Sequence, residues 1–182
     1  MSYQPRVAKV LVSLLLAMTA GAVVLMALGN HAPSAGPFCL SSYYRLSPVQ
    51  KATTSRAAQL PQRWNSIEIF YSETTGGNVE QLASLAGLQN PDDLNCHFVI
   101  CSGIGADDGD ILPTEKWQRQ WSTVQDQNWF GSGQTIRICV VAQTKSLATT
   151  DYQVKRTELL TEHLYRKFAV APENIYYPAN WR

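Results

Sequence analysis

From Val10 to Leu28 the chain carries 19 consecutive residues without a charge, almost all of them apolar. As a helix that run is about as long as the hydrocarbon core of a bilayer is thick. Arg6 and Lys9 precede it and Gly29-Asn30-His31 follow it. Basic residues stay on the cytoplasmic side, so the reading is a retained signal anchor. Residues 1–9 are then cytoplasmic, 10–28 form one transmembrane helix, and the remainder faces the extracytoplasmic, periplasmic side. A cleaved signal peptide is the competing reading, but its apolar region is shorter, about 7 to 15 residues, and ends in small residues. Ala17 and Gly21 stand four apart, a spacing that lets two such helices approach closely but that an Ala-rich helix also produces by chance.

The rest of the 182 residues, in a chain 45% apolar and 16% charged, suffices for one ordinary domain. A formal net charge of +1, with no Lys/Arg cluster along a helix or strand, gives no footprint for a nucleic-acid partner. Residues 29–61 hold Pro33, Pro37, Pro48 and Pro61 without a sustained period, which predicts a tether with at most one short helix. From residue 62 the pattern changes. Ile67 to Tyr71 reads as a strand, Val79 to Leu88 as a helix, Cys96 to Cys101 as a second strand, Ile111-Leu112 as extended chain, and Thr135 to Ala142 as a β-branched strand. Thr150 followed by Gln153 matches a capping box, and Leu160, Leu164 and Phe168 recur at helical spacing. Strands alternating with helices predict an α/β domain over 62–182.

Four cysteines in an exported domain raise the question of disulfides. Cys96 and Cys101 lie an odd number of residues apart in one expected strand, which points them to opposite faces. Cys139 on another strand is able to reach one of them, and Cys39 sits in the tether. Buried free thiols are the reading preferred here.

Six segments in order resemble the peptidoglycan-recognition and N-acetylmuramoyl-L-alanine amidase family: Trp64-Asn65-Ser66-Ile67-Glu68-Ile69, Cys96-His97-Phe98-Val99-Ile100, Asp108-Gly109-Asp110-Ile111, Trp117-Gln118-Arg119-Gln120, Thr135 to Val141, and Ala171-Pro172-Glu173-Asn174-Ile175-Tyr176. Lys116 stands where the family commonly has arginine. The resemblance covers about residues 62 to 178. It implies a mixed sheet packed against helices and, for the family, zinc-dependent cleavage between muramic acid and the stem peptide. It also implies ligand positions, and here the chain departs from the pattern. The first falls on Phe70, the second on Pro178, and the third at or beyond Arg182; the tyrosine that supports catalysis in many members falls on Cys96. A catalytic zinc takes about three protein ligands and lowers the pKa of its bound water to about 7. Phe and Pro offer no lone pair. No catalytic residue, metal ligand or cofactor is therefore assigned, although zinc is expected for the family.

Other constellations are weaker. Cys96 and His97 are strand neighbours and project to opposite faces, so they do not make a nucleophile–base dyad. His97 reads as a core histidine and His163 as a surface residue on the last helix. Asp107, Asp108 and Asp110 lack the ordered alternation of a calcium loop and read as a solvated turn.

What the resemblance leaves is a groove that in zinc-less relatives still binds muropeptides. Candidate groove residues are Phe70, Tyr71, Cys96, Trp117, Arg119, Trp121 and Trp129. Aromatic faces suit sugar rings and stem peptides, Phe70 and Cys96 make an apolar floor, and Arg119 or Arg137 offers a fork to a carboxylate. Against this stands the plainer expectation that most of these rings fill a core. The expected function is a membrane-anchored, extracytoplasmic domain that binds peptidoglycan without hydrolysis, a pseudoenzyme. The alternatives are a partner-binding scaffold that keeps only the fold, and an active amidase in peptidoglycan turnover.

Overall fold

The 10–28 run lies within a single helix, α1, Pro5–Gly29. The computed structural model describes residues 5–29, 46–123, 133–143 and 149–181, with the side chains of 9–20 and 23 described within the first stretch. Contacts divide the chain into two units, residues 1–38 and 39–182. In the first, Val10, Leu11, Val12, Leu14, Leu15, Leu16, Met18 and Val23 all stand exposed. The two hydroxyls of α1 turn back onto its own backbone: Ser13 Oγ donates to the Val10 carbonyl at 2.9 Å, and Thr19 Oγ1 to the Leu15 carbonyl at 3.0 Å. Such bonds remove the demand for outside partners. Among the described residues no helix is long and apolar enough to cross a membrane.

The second unit is an α/β domain around a five-stranded mixed sheet. Its elements in order are α2 (Ser47–Thr53), β1 (Ser66–Tyr71), α3 (Val79–Leu85), β2 (Phe98–Ile100), β3 (Ile111–Pro113), α4 (Glu115–Gln118), β4 (Thr135–Val140), α5 (Asp151–Phe168) and β5 (Ile175–Tyr176). The strand order is β3-β2-β4-β1-β5. β1 runs parallel to β4, with Ser66 opposite Thr135 and Tyr71 opposite Val140, and parallel to β5. β2 is parallel to β4 and antiparallel to β3.

Period-two alternation sorts the strand side chains into two layers. Ile67, Ile69, Phe98, Ile100, Ile136, Ile138 and Val140 face Leu160, Leu164 and Phe168 of α5. Val99, Cys139 and Val141 face Leu82 and Ala83 of α3. The apolar stripe of α5 recurs every four residues, and burying each such side chain contributes about 1.5–3 kcal/mol. Its first turn carries the expected capping box: Gln153 N–H donates to Thr150 Oγ1, and Thr150 N–H to Gln153 Oε1, both at 3.0 Å. The helix ends at Ala169, whose φ of 53° lies in the left-handed region.

Three differences from the sequence-based expectation have physical causes. The folded unit begins before residue 62, because Val49 of α2 is fully buried in the α5 layer. The strand expected over Cys96–Cys101 is only Phe98–Ile100. His97 is the reason: its main-chain N–H donates to the Arg137 carbonyl at 2.8 Å while its ring Nδ1, not a carbonyl, accepts the Arg137 N–H at 3.0 Å. Regular pairing starts only beyond it. The alternation is thereby reset, and Cys96 and Cys101 share the α3 layer with Cys139 instead of pointing to opposite faces. His97 itself packs edge-on against Trp64 on the α5 side, so the separation of Cys96 from His97 stands.

Two crossovers position the site. From β1 through α3 the chain steps over β4 to β2, and from β4 through α5 it steps the other way over β1 to β5. The reversal falls between β1 and β4. In open α/β sheets, the crevice at the carboxyl ends of the strands at such a reversal is where ligands sit.

Candidate functional site

A cavity of about 470 Å³ opens beside that reversal, on the α3 side of the sheet. Phe70, Tyr71 and Ser72 contribute from the end of β1, and Arg137 and Cys139 from β4. Leu82, Leu85, Ala86 and Leu88 contribute from α3 and its exit, and Asp93, Leu94 and Asn95 from the approach to β2. The wall is mainly apolar, with a few polar groups among its residues, the composition usual for a small-ligand site.

The capping box at the start of α3 fixes the upper wall: Gln81 N–H donates to Asn78 Oδ1 at 3.0 Å, and Asn78 N–H to Gln81 Oε1 at 3.0 Å. Arg137 fixes the floor. Its guanidinium lies over the Phe70 ring at 4.5 Å. Its Nε donates to Glu68 Oε2 at 2.7 Å and its Nη1 to the Asn95 carbonyl at 3.0 Å. With those partners in place, Arg137 has no two-pronged face left for a ligand carboxylate. The fork expected of it is filled from within the chain.

Cys139 lines the cavity and its thiol touches that of Cys96 behind it, and with Cys101 they are free and buried. Contact with Cys96 and then burial raise the Cys139 thiol well above its ordinary value. Burial, and after it Asp110, pushes Cys101 up to about 12. Both stay protonated near neutral pH and are poor nucleophiles.

Of the seven groove candidates the structure brings Phe70 and Tyr71 into the wall, with Cys96 one layer behind it. Trp117 is a correction: it is fully buried on the α5 side, 4.5 Å from the Phe98 ring and edge-on to Phe168, and has no surface to offer. Arg119 and Trp121 pair with each other, the guanidinium 4.7 Å from the indole, and Arg119 also bridges to Glu115 at 3.0 Å; neither lines the cavity. Trp129 lies outside the described residues.

His97 is satisfied on both ring nitrogens, since Nε2 meets the Trp121 carbonyl at 2.8 Å. Nδ1 accepts from a backbone N–H, so the proton sits on Nε2. Burial lowers its pKa to about 4. The acidic turn has a structural task, as Asp108 Oδ1 accepts from Thr150 Oγ1 at 2.8 Å and so ties the turn to the start of α5. Gly109 at φ 72° lets that turn pass the Tyr152 ring, which an added Cβ would meet at 2.5 Å.

The chain matches no family model, and neither a curated protein nor a solved structure is significantly similar to it.

The zinc that the resemblance implies does not fit these residues. The position matched to its first ligand holds the Phe70 ring, covered by Arg137, and the second holds Pro178. Among the described residues no group of three or more His, Cys, Asp or Glu is placed to hold a metal ion.

Sequence reasoning missed the contribution of α3 to the wall and the aromatic cluster next to it. Tyr71 stacks on Trp181 with centroids 6.2 Å apart, and Trp181 meets Tyr177 at 5.7 Å. The apolar spacing Leu82, Leu85, Leu88 was the available signal for the first. The density of aromatic residues from Tyr176 to Trp181 was the signal for the second.

Proposed function

We propose that this protein is a membrane-anchored, extracytoplasmic module of the N-acetylmuramoyl-L-alanine amidase fold that binds peptidoglycan fragments without hydrolysing them. The observation that carries the reading is the position of Phe70. Phe70, the position that the resemblance matches to the family's first metal ligand, lies in the wall of a 470 Å³ cavity beside the strand reversal. Apolar walls that also include Ser72, Thr74, Asp93 and Asn95 suit a stem peptide, whose alanine methyls want burial and whose amides want partners. The protonated thiols supply no substitute nucleophile. The uncharged run 10–28 and the inward-turned hydroxyls of α1 support the anchor.

The test is cosedimentation of the full chain, extracted in mild detergent, with purified sacculi, together with an assay for released stem peptide with zinc and with a chelator. Chelator-insensitive sedimentation without release is expected. Failure to sediment overturns the binding reading, and chelator-sensitive release overturns the loss of hydrolysis.

A second reading, a scaffold that docks a protein partner, is favoured by one observation. Leu85 and Ile104, 67% and 62% exposed, line a neighbouring cleft of about 370 Å³ and leave apolar surface in the open. Sacculi would then fail to retain the chain.

A further inference from the structure

Trp181 is folded back onto the domain by a turn in which its main-chain N–H donates to the Pro178 carbonyl at 3.2 Å and Asn180 takes a φ of 65°. The turn lays the indole nearly parallel to the Tyr71 ring, 28° between planes, and 37° from Tyr177. Three rings thus form a ledge, and Tyr71 belongs both to it and to the cavity wall. The outer part is open: Tyr177 is 45% exposed and the adjoining Tyr176 54%.

We propose that this ledge is a saccharide subsite, which takes N-acetylhexosamine rings while the adjoining cavity takes the peptide. The inference rests on the peptidoglycan reading and deepens it. A pyranose presents a flat array of C–H groups rimmed by hydroxyls, and Tyr and Trp present a flat apolar face with a polar edge, so the two surfaces match. Charge favours a neutral ligand. Arg137, the one cation among the described residues that line the cavity, is already held by Glu68 and Asn95. Stacked nucleobases, by contrast, come with phosphates that ask for a basic groove.

The experiment titrates a tetramer of N-acetylglucosamine, which carries no peptide, into the full chain in detergent and follows tryptophan fluorescence and binding heat. The tetramer is expected to bind. Tyr177→Ala should weaken it about tenfold, the value of one aromatic contact, and Tyr177→Phe should leave it unchanged. Trp181→Ala should weaken it as well, with far-UV circular dichroism reporting the fold of each variant. Leu85→Asp, in the cavity wall, should impair sacculus retention while sparing the tetramer. If sacculi retain the chain but the tetramer does not bind, or binds Tyr177→Ala as well as the parent, the ledge is not a sugar site and the peptidoglycan reading stands. If neither sacculi nor tetramer binds, both fall together.

Discussion

The imidazole of His97 stands where a strand carbonyl would, its Nδ1 accepting the main-chain N–H of Arg137 at 3.0 Å. With Nε2 on the Trp121 carbonyl, the ring joins β4 to the segment that follows α4. A ring so used must be neutral, because protonating Nδ1 sets two donors against each other.

Stability should therefore fall with acid. The folded pKa of His97, about 4, lies below the unfolded value of 6.5. Between them the unfolded chain binds the extra proton, so the contribution is complete above pH 6.5 and is lost as pH falls toward 4. Its ceiling is on the order of 3 kcal/mol. Urea unfolding at pH 7, 5.5 and 4.5 should show this slope in the parent and not in His97→Gln. Equal slopes would remove His97 as the source.

Leu164→Ala should destabilise the domain by about 2–5 kcal/mol, since Leu164 is fully buried in the layer that joins α5 to β1 and β4. Denaturant midpoints read this directly, and a loss below about 1 kcal/mol would mean that the layer collapses around the gap.

Ala169→Gly should stabilise the domain by up to about 1 kcal/mol, because Ala169 holds a left-handed φ of 53° that glycine adopts freely. Gly109→Ala should do the reverse, through its own positive φ and the Tyr152 ring. Opposite shifts in thermal midpoint are the expected result.

Cys96, Cys101 and Cys139 should resist iodoacetamide at pH 8 in the folded protein and react in denaturant, because all three are buried. Mass spectrometry of the native protein would contradict this placement if any of the three were alkylated promptly.

Leu85→Asp should weaken sacculus retention with little change in stability, because Leu85 is 67% exposed yet lines the cavity. Retention at the parent level would move the binding site elsewhere.

Where a residue's neighbours in sequence determine its surroundings, the sequence was legible. The strand-like run from Ile67 to Tyr71 marked β1, the β-branched run from Thr135 to Ala142 marked β4, and Thr150 with Gln153 marked the start of α5. β2 was misjudged in length because a side chain in the ladder leaves no trace in a hydrophobic pattern, and His97 looks there like any other polar residue in an apolar run. The site was harder still. Trp117 and Trp181 are the same residue type, but one is sealed under α5 and the other folds over Tyr71. Only chain connections distant in sequence separate them. Phe70 was found because the order of short strand motifs placed it at a strand end, whereas the α3 side chains facing it depend on how a helix crosses the sheet.

Arg137 serves two masters through different atoms. Its backbone receives the histidine on one side of the sheet, and its guanidinium caps Phe70 and holds Asn95 on the other. A strand residue ordinarily speaks to one layer, but here a shift in the backbone needed to accommodate one side is transmitted to the other. Any adaptation of the pocket to a new ligand at this position must therefore also be tolerated by the core, which makes Arg137 a point where evolutionary drift of binding and of folding are locked together.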